Sequence, residues 1–247
     1  MTASSKYFDA HLIGAATFSG SVPEQLSGAL IFGANSRAFV GALCKQAPHA
    51  EWRFAETLRQ LARPVDAHAA HVLDLQLSEA DLRARLKMPA AEWWPLLGAQ
   101  HGKSPLCLRL NLPPGPSIVK GARILAREFP RVHFIIDPFR HGPASEWQGQ
   151  ARMAECSNVW LTTLGMFPNP SCLWPRSEDA GIAMHFVSGE VGAGKLLFAS
   201  GLDWNLQTPA INPVEWLSGI STLDDAQRAL ILRLNAADLF GSLAPGK

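Results

Sequence analysis

The amino-acid sequence predicts an α/β protein built on a parallel sheet, and three observations carry that expectation. Short apolar runs near residues 8, 30, 70, 107, 134, 160 and 198 alternate with stretches of helical periodicity, the pattern of strands joined by helical crossovers. Several runs close in small and polar residues, as in Lys195 to Asn205, KLLFASGLDWN, where a buried strand opens into a polar mouth. The 247 residues, 47% of them apolar and 17% charged, can bury one sizeable core, and about 250 residues suits a single (β/α) barrel. One domain over residues 1–247 is expected.

Composition excludes several function classes. A net charge of +1 gives no general attraction for polyanions, and no basic stripe is interleaved with aromatics, so nucleic acid is not an expected partner. The start, MTASSKYFDAH, lacks a signal peptide's charged and apolar regions, and no apolar run reaches the roughly 18 residues of a membrane span. A cytoplasmic protein with no membrane partner is the expectation. Cys44, Cys107, Cys156 and Cys172 show no C-x-x-C spacing and read as reduced thiols.

In chain order, Tyr7 to Leu12 is a short strand with His11 near its end, and Ala29 to Gly33 is a buried strand closed by turn formers. Arg37 to Lys45 and Glu51 to Ala62 show helical spacing, the second placing Trp52, Ala55, Leu58 and Leu61 on one face. Val65 to Leu75 fits strand or helix. His68 and His71, three apart, share a face only in a helix, and separate imidazoles with ordinary hydrogen bonds are the simpler reading. Glu79 to Met88 and Ala91 to His101 look helical, with Trp93 and Trp94 as packing residues.

Pro105 to Asn111 is a strand carrying Arg109 and Asn111 on one face. A cation inside such an apolar run needs a partner, either a structural carboxylate or a substrate anion. Ser117 to Phe129 is a helix with Ser117 as N-cap and Pro130 as its stop, and VHFIIDPFRHG is a strand running into Asp137, Arg140 and His141. Ala144 to Cys156 is helical and Asn158 to Leu164 a strand. Its long loop, GMFPNPSCLWPRSED, fits a lid or rigid packing. Ile182 to Val187 ends a helix, and Leu223 to Leu239 is an amphipathic helix with Asp224 and Asp225 at its favourable end. Seven strands are countable. The eighth is sought around Leu73 to Leu86, so the barrel is expected to be distorted or to miss one strand.

Gly189 to Lys195, GEVGAGK, has the spacing of a phosphate-binding loop. Leu196 stands where a magnesium-binding hydroxyl is needed, and a strand follows where the motif requires a helix, so nucleotide binding is not expected.

FPRVHFIIDPFRHGP, SNVWLTTLGMF, VGAGKLLFASG and NAADLFG, in that order, resemble the amidohydrolase-related TIM-barrel hydrolases of the amidohydrolase superfamily. There the corresponding stretches are a strand ending near Asp-His-x-Gly, a strand like N-V-Y-x-x-x-S-G, a strand reading L-L-F-G-S-D, and a closing N-A-x-x-L-F-G helix. YFDAHLIGA looks like the family's first strand, D-x-H-x-H. The resemblance is good over residues 105 to 241 and weak before them, and it implies a TIM barrel.

The resemblance also implies a metal centre held by two histidines on the first strand, histidines on the fifth and sixth, and an aspartate on the eighth. This chain departs from it. The first pair is His11 and Ile13, the fifth-strand position is Arg109 or Asn111, Pro138 takes the sixth and Gly201 the eighth. About three fixed ligands are needed to activate a metal-bound water, so the usual centre is not expected; an atypical divalent metal such as zinc is the alternative. His141 and Asp203 lie three and two residues past the vacant positions.

Two functions follow. One is a hydrolase of a small carbonyl ester, lactone or amide, with Asp203 as general base, His11 or His141 beside it, and Arg109, Asn111, Asp137, Arg140 and Asn205 holding substrate. By resemblance, lactonases without metal belong to the family. The other is an inactive barrel, a pseudoenzyme, that binds a ligand or pairs with an active paralogue. Homodimerisation is a generic expectation.

Overall fold

The computed structural model describes residues 7–13, 26–32, 36–58, 72–75, 80, 84, 86–87, 106–113, 115–140, 147–166, 177–201 and 212–242. Eight strands run through them: β1 (Tyr7–Ile13), β2 (Leu26–Phe32), β3 (Glu51–Leu58), β4 (Val72–Leu75), β5 (Leu106–Leu110), β6 (Val132–Ile136), β7 (Val159–Thr162) and β8 (Leu196–Leu197). They form one sheet in sequence order, and every neighbouring pair is parallel.

β3 corrects the sequence expectation. Glu51–Leu58 is a strand, not the start of a helix, pairing Gly28 with Glu51 on one side and Ala55 with Val72 on the other. Glu, Ala and Leu favour helices in isolation, but flanking strands decide the matter because sheet preference depends on context. β3 therefore supplies the strand that had been sought around Leu73 to Leu86, and Leu73 belongs to β4.

The sheet's two faces separate by parity. Ala29, Ile31, Leu73, Leu108, Phe134 and Leu161 join one buried cluster with side chains of the covering helices. Leu30, Phe32, Val72, Cys107, Ile135 and Trp160 join a second cluster on the opposite face. A strand buried on both faces reads as a continuous apolar run, which is why β5 and β6 are legible and why a polar residue within one stands out.

The helices are α1 (Ser36–Gln46), α2 (Pro116–Glu128), α3 (Trp147–Ala151) continued by a 3-10 turn at Arg152–Glu155, α4 (Ser177–Glu190), α5 (Pro213–Ser218), α6 (Asp225–Ala229) and α7 (Asn235–Ser242), with a π turn at Leu230–Leu234 joining the last two. Pro116 rather than Ser117 opens α2, and Gly115, at φ 136°, precedes it; proline needs no amide partner in a first turn. Asp224 caps α6 in a reciprocal box: it accepts from Gln227 N at 2.7 Å while Asp224 N donates to Gln227 Oε1 at 3.0 Å, the arrangement that satisfies two otherwise open amides.

α7 and the π turn fasten the last strand to the rest. Asn235 Nδ2 donates to the carbonyls of Ala193 and Leu196, each at 2.8 Å, and Phe198 N donates to Ile231 O at 3.0 Å. Phe240 of α7 packs on Phe8 of β1 with ring centroids 5.3 Å apart. Near the start of β6, Trp160 Nε1 donates to His133 Nδ1 at 3.4 Å, and the Lys195 ammonium lies 4.5 Å from the Trp160 ring centre. Lys195 also donates to Ser157 O and is followed by β8, so the phosphate-loop spacing of GEVGAGK serves a strand entry.

Candidate functional site

The strand parity that places Val72, Cys107, Ile135 and Trp160 on one face also places Asp74, Arg109, Asp137 and Thr162 there, each two residues further along the chain. Asp74 lies in β4, Arg109 is next to last in β5, Asp137 follows β6 and Thr162 ends β7. All four are buried. They thus collect at the C-terminal ends of the parallel strands, where α/β folds keep their ligand sites.

Arg109 is the hub. Its Nη1 donates to Asp74 Oδ1 at 3.0 Å and its Nη2 to Asp137 Oδ2. Asp74 and Arg109 are directly paired across the β4–β5 ladder. Thr162 Oγ1 donates to Asp137 Oδ1 at 2.6 Å, so each oxygen of Asp137 holds a hydrogen bond. The guanidinium carbon sits 4.7 Å from the centre of the Phe32 ring, a cation over a π face. Burial by itself lowers the Arg109 pKa, but the charges of Asp137 and Asp74 and their hydrogen bonds outweigh it and raise the pKa above its ordinary value. Of the two partners open to Arg109 in the sequence, the structure supplies carboxylates of its own chain.

A third buried carboxylate, Asp9, joins β1 to the segment after β8. It accepts from Ser200 N at 3.0 Å through Oδ1 and from Ser200 Oγ through Oδ2. Gly201, next in line, has φ 67°, a left-handed conformation that glycine adopts without steric cost. Gly201 therefore suits the turn it occupies.

The remaining sequence candidates divide cleanly. Asn111 is half-buried just past β5, on a loop held by α3 through Gln150 Nε2, which reaches the carbonyls of Leu112 at 3.3 Å and Pro113 at 3.4 Å. Arg140 is exposed, and its amide donates to Asp137 O at 3.3 Å. His11 lies in β1, with its side chain outside the described residues. His141, Asp203 and Asn205 lie outside them as well, as do His68, His71, Trp93, Trp94 and most of the loop after β7.

Sequence reasoning missed Asp9, Asp74, Thr162 and Ser200. Asp74 carried the same signal as Arg109, a charge inside the apolar run VLDL, and Asp9 stood in the YFDAH stretch quoted for its histidine.

The described strand-end donors do not by themselves make a site for a divalent cation. Among the described residues no three His, Cys, Asp or Glu side chains gather to hold one, the strand-end carboxylates Asp74 and Asp137 are bridged by a fixed cation, and Asp9 is engaged by Ser200.

A parallel β/α sheet with a buried polar set at its strand ends is the arrangement of an α/β enzyme scaffold. The sequence model of the Amidohydrolase family matches residues 33–242, and the chain belongs to that family. Among solved structures it is similar to an amidohydrolase from Burkholderia multivorans with bound zinc, at 14% identity and TM-score 0.66 over 96% of this chain and 100% of that one. It is also similar to a probable 2-pyrone-4,6-dicarboxylic acid hydrolase from Acinetobacter baumannii with citric acid bound, at 16% identity and TM-score 0.63, covering 96% and 99%. Amidohydrolase 2 from Bifidobacterium longum subsp. infantis matches at 17% identity and TM-score 0.59, covering 96% and 99%. These likenesses show the shared fold. No curated protein matches the chain.

Proposed function

We propose that the sheet closes into a TIM-type barrel and that its mouth hydrolyses a small carbonyl ester, lactone or amide. The observation that carries the reading is the buried chain of Asp74, Arg109, Asp137 and Thr162 at the strand ends, polar groups in the position where members of this fold do chemistry. The bond from Asp9 to Ser200 supports closure, since it ties β1 to the end of β8. The Acinetobacter relative is named for a pyrone hydrolase, which favours a cyclic ester among the candidates.

In this reading Asp203 takes a proton from water, and the oxygen of that water attacks the carbonyl carbon. Arg140 or a neighbouring donor holds the developing oxyanion, and the bond to the leaving oxygen or nitrogen breaks as that atom takes a proton from His141 or His11. Asn111 and Asn205 orient the substrate. Arg109 and Asp137 hold each other, so they act as the rigid base of the mouth and touch substrate only at its edge.

Turnover of a panel of lactones and aryl esters, followed as acid release by wild type and by Asp203→Asn, tests the proposal. Hydrolysis by wild type with a loss of at least about 100-fold in the variant, the scale of a lost general base, supports it. Equal rates in the two proteins dismiss Asp203 as the base. A second reading, an inactive barrel pairing with an active paralogue, is favoured by Pro138 and Gly201 at expected ligand positions; no turnover by the chain alone, with turnover by a co-purified paralogue, selects it.

A further inference from the structure

We propose that the Arg109 guanidinium is the resident cation of the strand-end carboxylates, filling the electrostatic place of a divalent ion, so that the folded mouth is assembled without metal. The inference rests on the family's hydrolytic scaffold and concerns what this chain has put in the place of its metal. β5 lies between β4 and β6 in the sheet. A residue on that middle strand can reach across both ladders, and a long forked cation suits two carboxylates at once. Arg109 does this with separate nitrogens, Nη1 to Asp74 and Nη2 to Asp137.

The side chains of the trio are almost wholly buried, Arg109 at 3% exposure and each aspartate at 1%, so the attraction is little screened. Asp137 has no idle oxygen, because Thr162 takes Oδ1 and Arg109 takes Oδ2. A divalent ion placed among these groups would meet a fixed positive charge held from below by the Phe32 ring and would have to strip both carboxylates from it. A guanidinium cannot activate water as a metal does. It can neutralise carboxylates and fix the spacing of three strand ends.

The test is thermal melting of the purified full chain, with elemental analysis, in chelator and in added zinc or manganese. Wild type is expected to carry only trace metal and to melt at one temperature in all three conditions. Arg109→Met leaves Asp74 and Asp137 without their cation. It should melt lower, and zinc or manganese should raise its melting temperature, a response that adding Asp137→Asn removes. Should Arg109→Met not fold, Arg109→Lys should fold and remain indifferent to metal. Stoichiometric metal in wild type, a chelator-induced drop in its melting temperature, or a metal-indifferent Arg109→Met overturns the inference. Failure of the two readings looks different: a chain that hydrolyses no panel substrate but gains metal dependence in Arg109→Met refutes the hydrolase alone, and metal-free turnover with a metal-indifferent Arg109→Met refutes only the role of Arg109.

Discussion

Thr163 and Ala199 are bonded twice through one hydroxyl. Ala199 N donates to Thr163 Oγ1 at 2.8 Å, and Thr163 Oγ1 donates to Ala199 O at 3.1 Å. The side chain thereby continues the β7–β8 ladder past the point where regular pairing stops. Thr163→Val keeps the shape and leaves both backbone groups of Ala199 buried without these bonds, a loss of about 1–3 kcal/mol. Denaturant unfolding should show it; a variant as stable as wild type would mean that water replaces the hydroxyl.

Two glycines should respond in opposite directions to the same substitution. Gly165 has φ 96°, and a Cβ there would lie 2.6 Å from Phe139 O, so Gly165→Ala should cost about 2 kcal/mol or more through backbone strain and collision with main chain. Gly181 sits inside α4 with nothing within 4 Å of a Cβ, and Gly181→Ala should stabilise by about 0.5–1 kcal/mol. Melting curves of the two variants, displaced to either side of wild type, would satisfy both expectations.

His133 makes stability fall in mild acid. Burial lowers its pKa, Lys195 lowers it further and Asp238 partly opposes them, while its Nδ1 accepts from the Trp160 indole, which only a neutral nitrogen can do. Because the folded pKa lies below the unfolded value of about 6.5, the unfolded chain binds the proton first. The contribution is fully present above that value and is lost as pH falls through the folded pKa. Melting temperature against pH should therefore show a step in wild type that is missing in His133→Gln, which does not titrate; parallel profiles would remove His133 as its cause.

Cysteine reactivity should follow burial. Cys107 is buried in the core of the sheet and desolvation pushes its thiol well above the usual range, whereas Cys44 is exposed on α1. Since the thiolate is the reactive species, native alkylation followed by peptide mass spectrometry should label Cys44 and spare Cys107 until denaturant is added. Labelling of both at similar rates in native buffer would contradict the packing around β5.

Much of this fold is legible in the chain. β5 and β6 announce themselves because strands buried on both faces need unbroken apolar runs, and Arg109 is conspicuous within one. β3 is not legible: Trp52, Ala55 and Leu58 satisfy a helical period, and only pairing with β2 and β4 overrules it. The site is half legible for a related reason. A lone buried cation predicts that a carboxylate exists, yet its partner Asp74 is 35 positions away, and no local pattern specifies a contact set by strand order. The family resemblance sets Pro138 and Gly201 at expected ligand positions, but it does not say that a guanidinium bridges the strand-end carboxylates.

The bond between Asp9 and Ser200 joins positions 191 apart in the chain. Contacts of such separation are the slowest to form, because so much chain must be ordered before they reward it. On the ribosome β1 emerges 191 residues before Ser200, and more chain still must follow before Phe240 reaches Phe8. β1 therefore spends that interval with an incomplete environment, the Asp9 carboxylate still in water, and Ser200 and Phe240 act as the clasp that ends this exposure.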